Sequence, residues 1–293
     1  MPSAVPPIIA SVLIPVVLAL ALTLAASESL PPQTGASRVA LATITDPRNR
    51  PLVDVGVDDF VIQEAGIARE VLSLRPADYP IVILFDTGAG ARDDVALIRK
   101  AVKRFIDRIG QRPVAVGTFG DPPVMLTTFE DDRAVIGPKI DAAIANPEGG
   151  SVLTRGAALA GRVIRAVGPL FSAIVIVSAT PLGDVPDTPE EVLAPIIDSG
   201  AAVHVIANRA ASPSGEAWRA VPAIRSLAEQ THGEFTAIYA AASYQAALDR
   251  LADRLTTEMM IEYLVPPGSK PIDVRVGVRI PGAHVRGLGV APR

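Results

Sequence analysis

The chain has 293 residues and a net charge of -4, with 49% hydrophobic residues, 4% aromatics and no cysteine. That length holds one large domain or two smaller ones around an aliphatic, alanine-rich core. Charge without a long run of one sign leaves no basic face for nucleic acid, and the lack of cysteine excludes disulfides, zinc–thiolate sites and a thiol nucleophile.

The first element is "IIASVLIPVVLALALTLAA", Ile8 to Ala26, which carries no charge; the first charged side chain is Glu28. Small residues at Ala25-Ala26-Ser27 suit a signal peptidase, and the run nearly reaches the roughly 20 residues that span a bilayer. The absence of Lys or Arg ahead of it weakens both readings, and Pro15 suits a cleaved segment better than a stable span. Residues 1–27 are therefore expected to be a signal peptide, with an uncleaved N-terminal anchor as the alternative. Either puts the remainder outside the cytoplasm, secreted, periplasmic or on the cell surface, with membrane contact only through this segment. Residues 28–37, "ESLPPQTGAS", read as a linker.

From 38 to 78 the pattern is that of strands. One begins at Val39, Leu41 and Ile44; Asp46 to Pro51 is a turn by its Asp, Asn and Pro content. Phe60-Val61-Ile62 and Val71 to Leu74 are further strands, with Glu64-Ala65-Gly66 turning between them. From 79 to 257 short apolar runs alternate with helical patterns: "IVILF" (81–85), "VAVGTF" (114–119), "AIVIVS" (173–178), "AVHVIA" (202–207) and "EFTAIY" (234–239). Unbroken aliphatic strands imply burial on both faces, hence a parallel sheet under helices. Val95, Ile98, Val102, Phe105, Ile106 and Ile109 share one helical face, and 153–167, 189–199 and 241–257 also read as helices. Gly110 and Gly200 sit where helices stop. This is a doubly wound α/β domain with helices on both faces of a mainly parallel sheet. From 258 to 293 the strand rhythm returns, with Ile272, Val274, Val276 and Val278 alternating with polar or small residues. Because two separate small β pieces would each be too short of strands to be stable, both ends are expected to form one sandwich-like β module with the α/β domain inserted between them.

Functional interest centres on "PIVILFDTGAGARDD", residues 80–94. Asp86-Thr87-Gly88 matches an aspartic-protease loop, but that chemistry needs two carboxylates sharing a proton. The chain has one such motif, followed by a helix. A glycine loop ahead of a helix can also cradle phosphate. Here neither a Gly-Lys-Ser/Thr loop nor a G-x-G-x-x-G is present, and Asp93-Asp94 at the helix start would repel an anion.

The third reading rests on order: a hydrophobic strand ending in Asp86, a helix, then "GGSVLTRGAAL", then "AIVIVS". This order resembles the von Willebrand factor A (VWFA) domain. The flanks "TITDPRNRPLVDVGVDDFVIQEAGIAREV" and "IEYLVPPGSKPIDVRVGVRIPGAHVRGLGV" look like a bacterial VWFA-related family abundant in acidobacteria, in which an extracytoplasmic β module precedes and follows the A domain. The resemblance covers about residues 37–290.

The resemblance implies a metal site, the MIDAS, in which oxygen ligands from three loops hold Mg²⁺ or a similar hard cation. Its first loop is Asp-x-Ser-x-Ser; here Asp86 is kept while Gly88 and Gly90 replace both serines. Its second loop supplies a Thr after Gly-Gly, where Ser151 stands. Its third supplies an Asp, where Ala179 stands; Asp184 lies five residues further on. The site is thus expected to be degenerate, with Asp86 and Ser151 as its remnants and no cofactor. Asp86 would then accept hydrogen bonds from surrounding backbone N–H groups. The expected function is an extracytoplasmic protein-interaction module, adhesive or scaffolding and without catalysis. Its unidentified protein partner would meet Thr87, Gly88, Gly90, Arg92, Asp121, Thr154 and Asp184. Two alternatives stand beside it: a nucleotide- or metal-binding enzyme using the Asp86–Gly90 loop, and a purely structural envelope protein. His204 reads as a packed strand residue, Trp218 as a tucked loop residue, and Arg99, Lys100, Lys103, Arg104 and Arg108 as a solvated helix face.

Overall fold

The computed structural model describes residues 35–48, 50–52, 54–179, 189–209 and 221–292. The expected leader, Asp184 and Trp218 lie outside the described residues. In chain order the elements begin with β1 (Ala36–Thr45), β2 (Phe60–Glu64), β3 (Ile67–Arg69), β4 (Val71–Pro76), β5 (Ile81–Phe85) and α1 (Val95–Arg108). Next come β6 (Val114–Thr118), β7 (Val124–Met125), α2 (Arg133–Ala142), α3 (Leu153–Val167), β8 (Ala173–Ser178) and α4 (Pro189–Ile197). The chain continues through β9 (Ala202–Asn208), α5 (Val221–Gln230), β10 (Glu234–Ile238), α6 (Tyr244–Thr256), β11 (Glu258–Val265), β12 (Val274–Val278) and β13 (His284–Pro292). β1 starts at Ala36, so the last two residues read as linker belong to a strand, where Ala36 and Ser37 pair with Val265 and Leu264 of β11.

The central sheet has the order β10-β9-β8-β5-β6-β7, parallel apart from the two-residue edge strand β7. All five residues of β5 are buried, because helices cover both faces. Ile81, Ile83 and Phe85 join a core with α1, α2 and α6. Val82 and Leu84 join a second core with α3, α4 and α5. The six apolar residues foreseen on one face of α1, Val95 through Ile109, are all buried, each contributing about 1.5–3 kcal/mol. α2 escapes the sequence pattern because Gly137-Pro138 interrupts it. Asp132 caps it by accepting the Ala134 N–H at 2.9 Å, and Ile136 and Ile140 bury one turn apart.

Strands from both chain ends form two antiparallel sheets, β13-β1-β11-β4 and β12-β2-β3. A third core lies between them, including Ala40, Ala42, Ile44, Phe60, Ile62, Ile261 and Tyr263. Alternation along β1 sends Val39 and Leu41 the other way, into the α/β core, as Met260 does from β11 and Leu288 from β13. The four-stranded sheet is thus a wall shared by two cores. For that reason β1 is apolar on both faces, and Ala36–Arg293 is one compact unit. The turn expected at Glu64 to Gly66 is made by Ala65 and Gly66 at φ +52° and +76°, which opens a hairpin into β3 before the chain reaches β4.

Candidate functional site

β5 has β6 on one side and β8 on the other, so the strand order reverses between β5 and β8, where ligand crevices of such sheets form. Asp86 follows β5 and Ala179 follows β8. Asp86 is fully buried. Its Oδ1 accepts the Gly88 N–H at 3.0 Å and the Ser151 hydroxyl at 2.6 Å. Its Oδ2 accepts the Ala179 N–H at 3.2 Å. A buried carboxylate is tolerated when several donors converge on it; here the donors come from three separate loops.

Those loops are laced to one another. Gly120 and Ser151 form an antiparallel bridge. The Val152 N–H donates to the Phe119 carbonyl at 2.8 Å, and the Asp121 N–H to the Gly150 carbonyl at 3.0 Å. Thr87 Oγ1 accepts the Gly120 N–H at 3.2 Å, and the Thr87 carbonyl accepts the Asn146 N–H at 2.7 Å. The Ala89 N–H reaches the Gly149 carbonyl at 2.8 Å.

This lacing decides the fit to a cation. A Cβ at Gly88, where the MIDAS pattern has its first serine, would lie 2.4 Å from Ser151 Oγ, 2.8 Å from Ser151 N and 2.9 Å from the Gly150 carbonyl carbon. The second loop, at Gly150 and Ser151, fills the room that side chain would need. Mg²⁺ demands a near-octahedral oxygen shell at about 2.0–2.1 Å. Among the described residues, the positions equivalent to the MIDAS ligands offer one carboxylate, engaged by the Gly88 and Ala179 N–H groups and the Ser151 hydroxyl, and that one hydroxyl. They do not fit a hard divalent cation. Among the described residues no group of three His, Asp or Glu is placed to hold a metal.

Beside Asp86 lies a second polar cluster that the sequence does not announce. Asp94 Oδ2 accepts Asn208 Nδ2–H at 3.0 Å and lies 3.0 Å from the Tyr244 hydroxyl, which is also 3.2 Å from the Ser178 carbonyl. Burial pushes the Tyr244 phenol far above its ordinary range, and the charge of Asp94 adds to the shift. The three residues sit at the ends of α1, β9 and α6, far apart in sequence; only the topology joins them.

Of the expected contact residues, Thr87, Gly88 and Thr154 are buried. That leaves Gly90, Arg92 and Asp121 exposed, with Asp121 in an ion pair to Arg155 at 3.2 Å. The same rim carries Ile144, 76% exposed, two residues before Asn146, which ties this loop to Thr87. Sequence reading missed Ile144, which no periodic pattern marks. His204 is buried in β9 as expected, but its Nδ1 has no hydrogen-bond partner. Burial first, then the charges of Arg254 and Arg286, hold its pKa down at about 3.

No protein-family model and no curated protein match the chain. Solved structures do. A von Willebrand factor type A protein from Catenulispora acidiphila is 15% identical, over 90% of this chain and 74% of its own, with a TM-score of 0.51. Proximal thread matrix protein 1 from the mussel byssus, with a zinc-occupied MIDAS motif, is 14% identical over 72% of this chain, with a TM-score of 0.51. The chain spans about half, 50%, of the length of that byssus protein. At such identities the likeness concerns the fold, and the fold is VWFA-like, as the order of motifs led us to expect.

Proposed function

We propose that the protein is an extracytoplasmic interaction module that binds another protein through the C-terminal rim of its parallel sheet, without a divalent cation and without catalysis. One observation carries this reading: the Asp86 carboxylate, where VWFA-like domains can hold a metal, is closed into a hydrogen-bonded lock. The byssus protein holds zinc at its MIDAS; here Gly88 and Ala179 bring backbone N–H groups to the carboxylate instead. The lock holds the Gly88–Gly90 and Asn146–Ser151 loops in place and leaves Gly90, Arg92, Asp121 and Ile144 as an outward rim. A protein partner docked on this rim would cover the Ile144 side chain, 76% exposed. The extracytoplasmic placement rests on the apolar run 8–26.

A photo-crosslinking residue at position 144, compared with one at the remote exposed position 275, tests the reading in the native envelope. A discrete adduct from 144 that persists in EDTA supports it. An adduct lost in EDTA overturns the cation-independent part, and equal or absent labelling at both positions overturns the contact. Thermal melts with Mg²⁺, Mn²⁺, ATP and EDTA complete the test, because occupied binding raises stability by mass action; flat melts are expected.

A further inference from the structure

At the opposite end of the molecule from Asp86, α6 and the β1–β13 edge of the shared wall enclose a cleft of about 600 Å³. Arg250 and Arg254 enter it from α6, Arg286 from β13 and Arg50 from the turn after β1. The cross-strand pairs Thr43–Arg286 and Thr45–His284 line the same cleft. These residues continue the face of β1 that is apolar at Val39 and Leu41. The face turns polar and basic where it passes the end of α6.

The charge there is unbalanced. One carboxylate, Asp253, lines the cleft, and it is tied to Arg108 of α1. Arg50 pairs with Asp46 at 2.6 Å and Arg254 with Glu234 at 2.8 Å. Arg250 and Arg286 have no ion pair among the described residues. Arg250 and Arg254 are also one helical turn apart, a like-charge spacing that costs a helix stability. All this occurs on a chain of net charge -4. Guanidinium groups on three sides of a concave site focus potential and match the paired oxygens of phosphate. The volume is in the range of small-molecule sites.

From this convergence of four arginines and three threonine hydroxyls, Thr43, Thr45 and Thr257, we infer that the cleft binds a ligand carrying two linked phosphate groups. Two linked phosphates present enough paired oxygens to engage Arg250, Arg254 and Arg286 together. The diphosphate belongs either to a soluble molecule or to a lipid headgroup. This site is separate from the rim around Asp86 and stands whether or not a protein binds there.

Calorimetric titration of the full chain, in an uncharged detergent and without divalent cations, uses inorganic pyrophosphate as the probe. Saturable binding that weakens with added salt is expected. R250A/R286A should lower affinity at least about tenfold, since two charge-assisted hydrogen-bonding groups are lost. R165A, which removes an exposed arginine on α3, should leave it unchanged. Both altered residues are exposed, and a melting curve confirms that the double variant is folded. Absence of saturable binding at millimolar pyrophosphate, or equal affinity in R250A/R286A, overturns the proposal. Equal affinity for citrate overturns the phosphate assignment. Binding to vesicles carrying a lipid diphosphate, added to pyrophosphate binding, assigns the ligand to a headgroup; pyrophosphate binding alone assigns it to a soluble molecule.

Discussion

At the C-terminal end of the parallel sheet a buried carboxylate, Asp86, meets donors from three loops. Toward the N-terminal end of the same sheet, His204 Nδ1 and Ser172 Oγ are buried without a hydrogen-bond partner, and the cleft at that end is lined by four arginines and one carboxylate, Asp253. The first end is where sheets of this kind usually present a ligand site, and here its polar groups are spent on one another. The second is a seam between the shared β wall and the α/β core, and its polar groups are left over. A closed polar cluster at one end of a fold therefore says nothing about the other end. Substitutions on each side sharpen or break the contrast.

The largest effect is expected at the closed end. Asp86→Ala removes the acceptor of the Gly88 and Ala179 N–H groups and of the Ser151 hydroxyl. Orphaned buried donors cost about 1–3 kcal/mol each before relaxation, so a loss of roughly 3 kcal/mol in denaturant unfolding is expected, the same in EDTA as in Mg²⁺. A loss below about 1 kcal/mol would show that the lock is loose. Gly88→Ala should cost about 1–3 kcal/mol as an overpacking change. Ser151→Ala should not rescue it, because two of the three close contacts, at 2.8 and 2.9 Å, are to backbone atoms. Full rescue would mean that the second loop moves aside easily and that a serine at 88 could be accommodated.

How much of this was legible beforehand varies by element. β5, β8 and α3 stand within the limits their sequence patterns set, because strands buried on both faces and a strongly amphipathic helix leave unambiguous periods. β3 and α2 did not, since three residues after a tight turn make no pattern and Gly137-Pro138 reads as a break. The candidate site was half legible. Gly88, Gly90 and Ala179 show in the sequence as missing ligands. That Ser151 fills the room beside Gly88, and that Ala179 supplies an N–H, follows only from loops meeting in space. The Asp94–Asn208–Tyr244 cluster and the arginine cleft were illegible for the same reason: their members come from different elements and share no spacing.

At the open end the expected effect depends on pH. His204 has a folded pKa of about 3, below the unfolded value of about 6.5. The unfolded chain therefore binds a proton that the folded chain refuses. Stability from this group is present above about pH 6.5 and is lost as pH falls toward 3. Compared with His204→Leu, the protein should lose stability on acidification from pH 6 to 4 with an extra slope of up to about 1.4 kcal/mol per pH unit. Burial also raises the pKa of the neighbouring Glu258, but both proteins share that carboxylate, so the difference between the two curves isolates the imidazole. Parallel curves would mean that His204 finds a partner or water when charged.

The smallest effect links α1 to the cleft. Sequence reading took the basic face of α1 as solvated, but Arg104 pairs with Asp249 at 3.0 Å, Lys103 with Asp141 at 2.6 Å, and Arg108 with Asp253. These pairs are exposed and contribute at most about 1 kcal/mol each, so Arg108→Ala should barely move the unfolding midpoint. It does remove the guanidinium partner of Asp253, which lines the same cleft as Arg250 and Arg254. The freed carboxylate then competes with an incoming anion for the same guanidinium groups. Pyrophosphate affinity should therefore fall in Arg108→Ala and recover in Arg108→Ala/Asp253→Asn, with stability nearly constant throughout. If the two variants bind alike, Asp253 is a bystander, and the cleft owes its charge balance to the arginines alone.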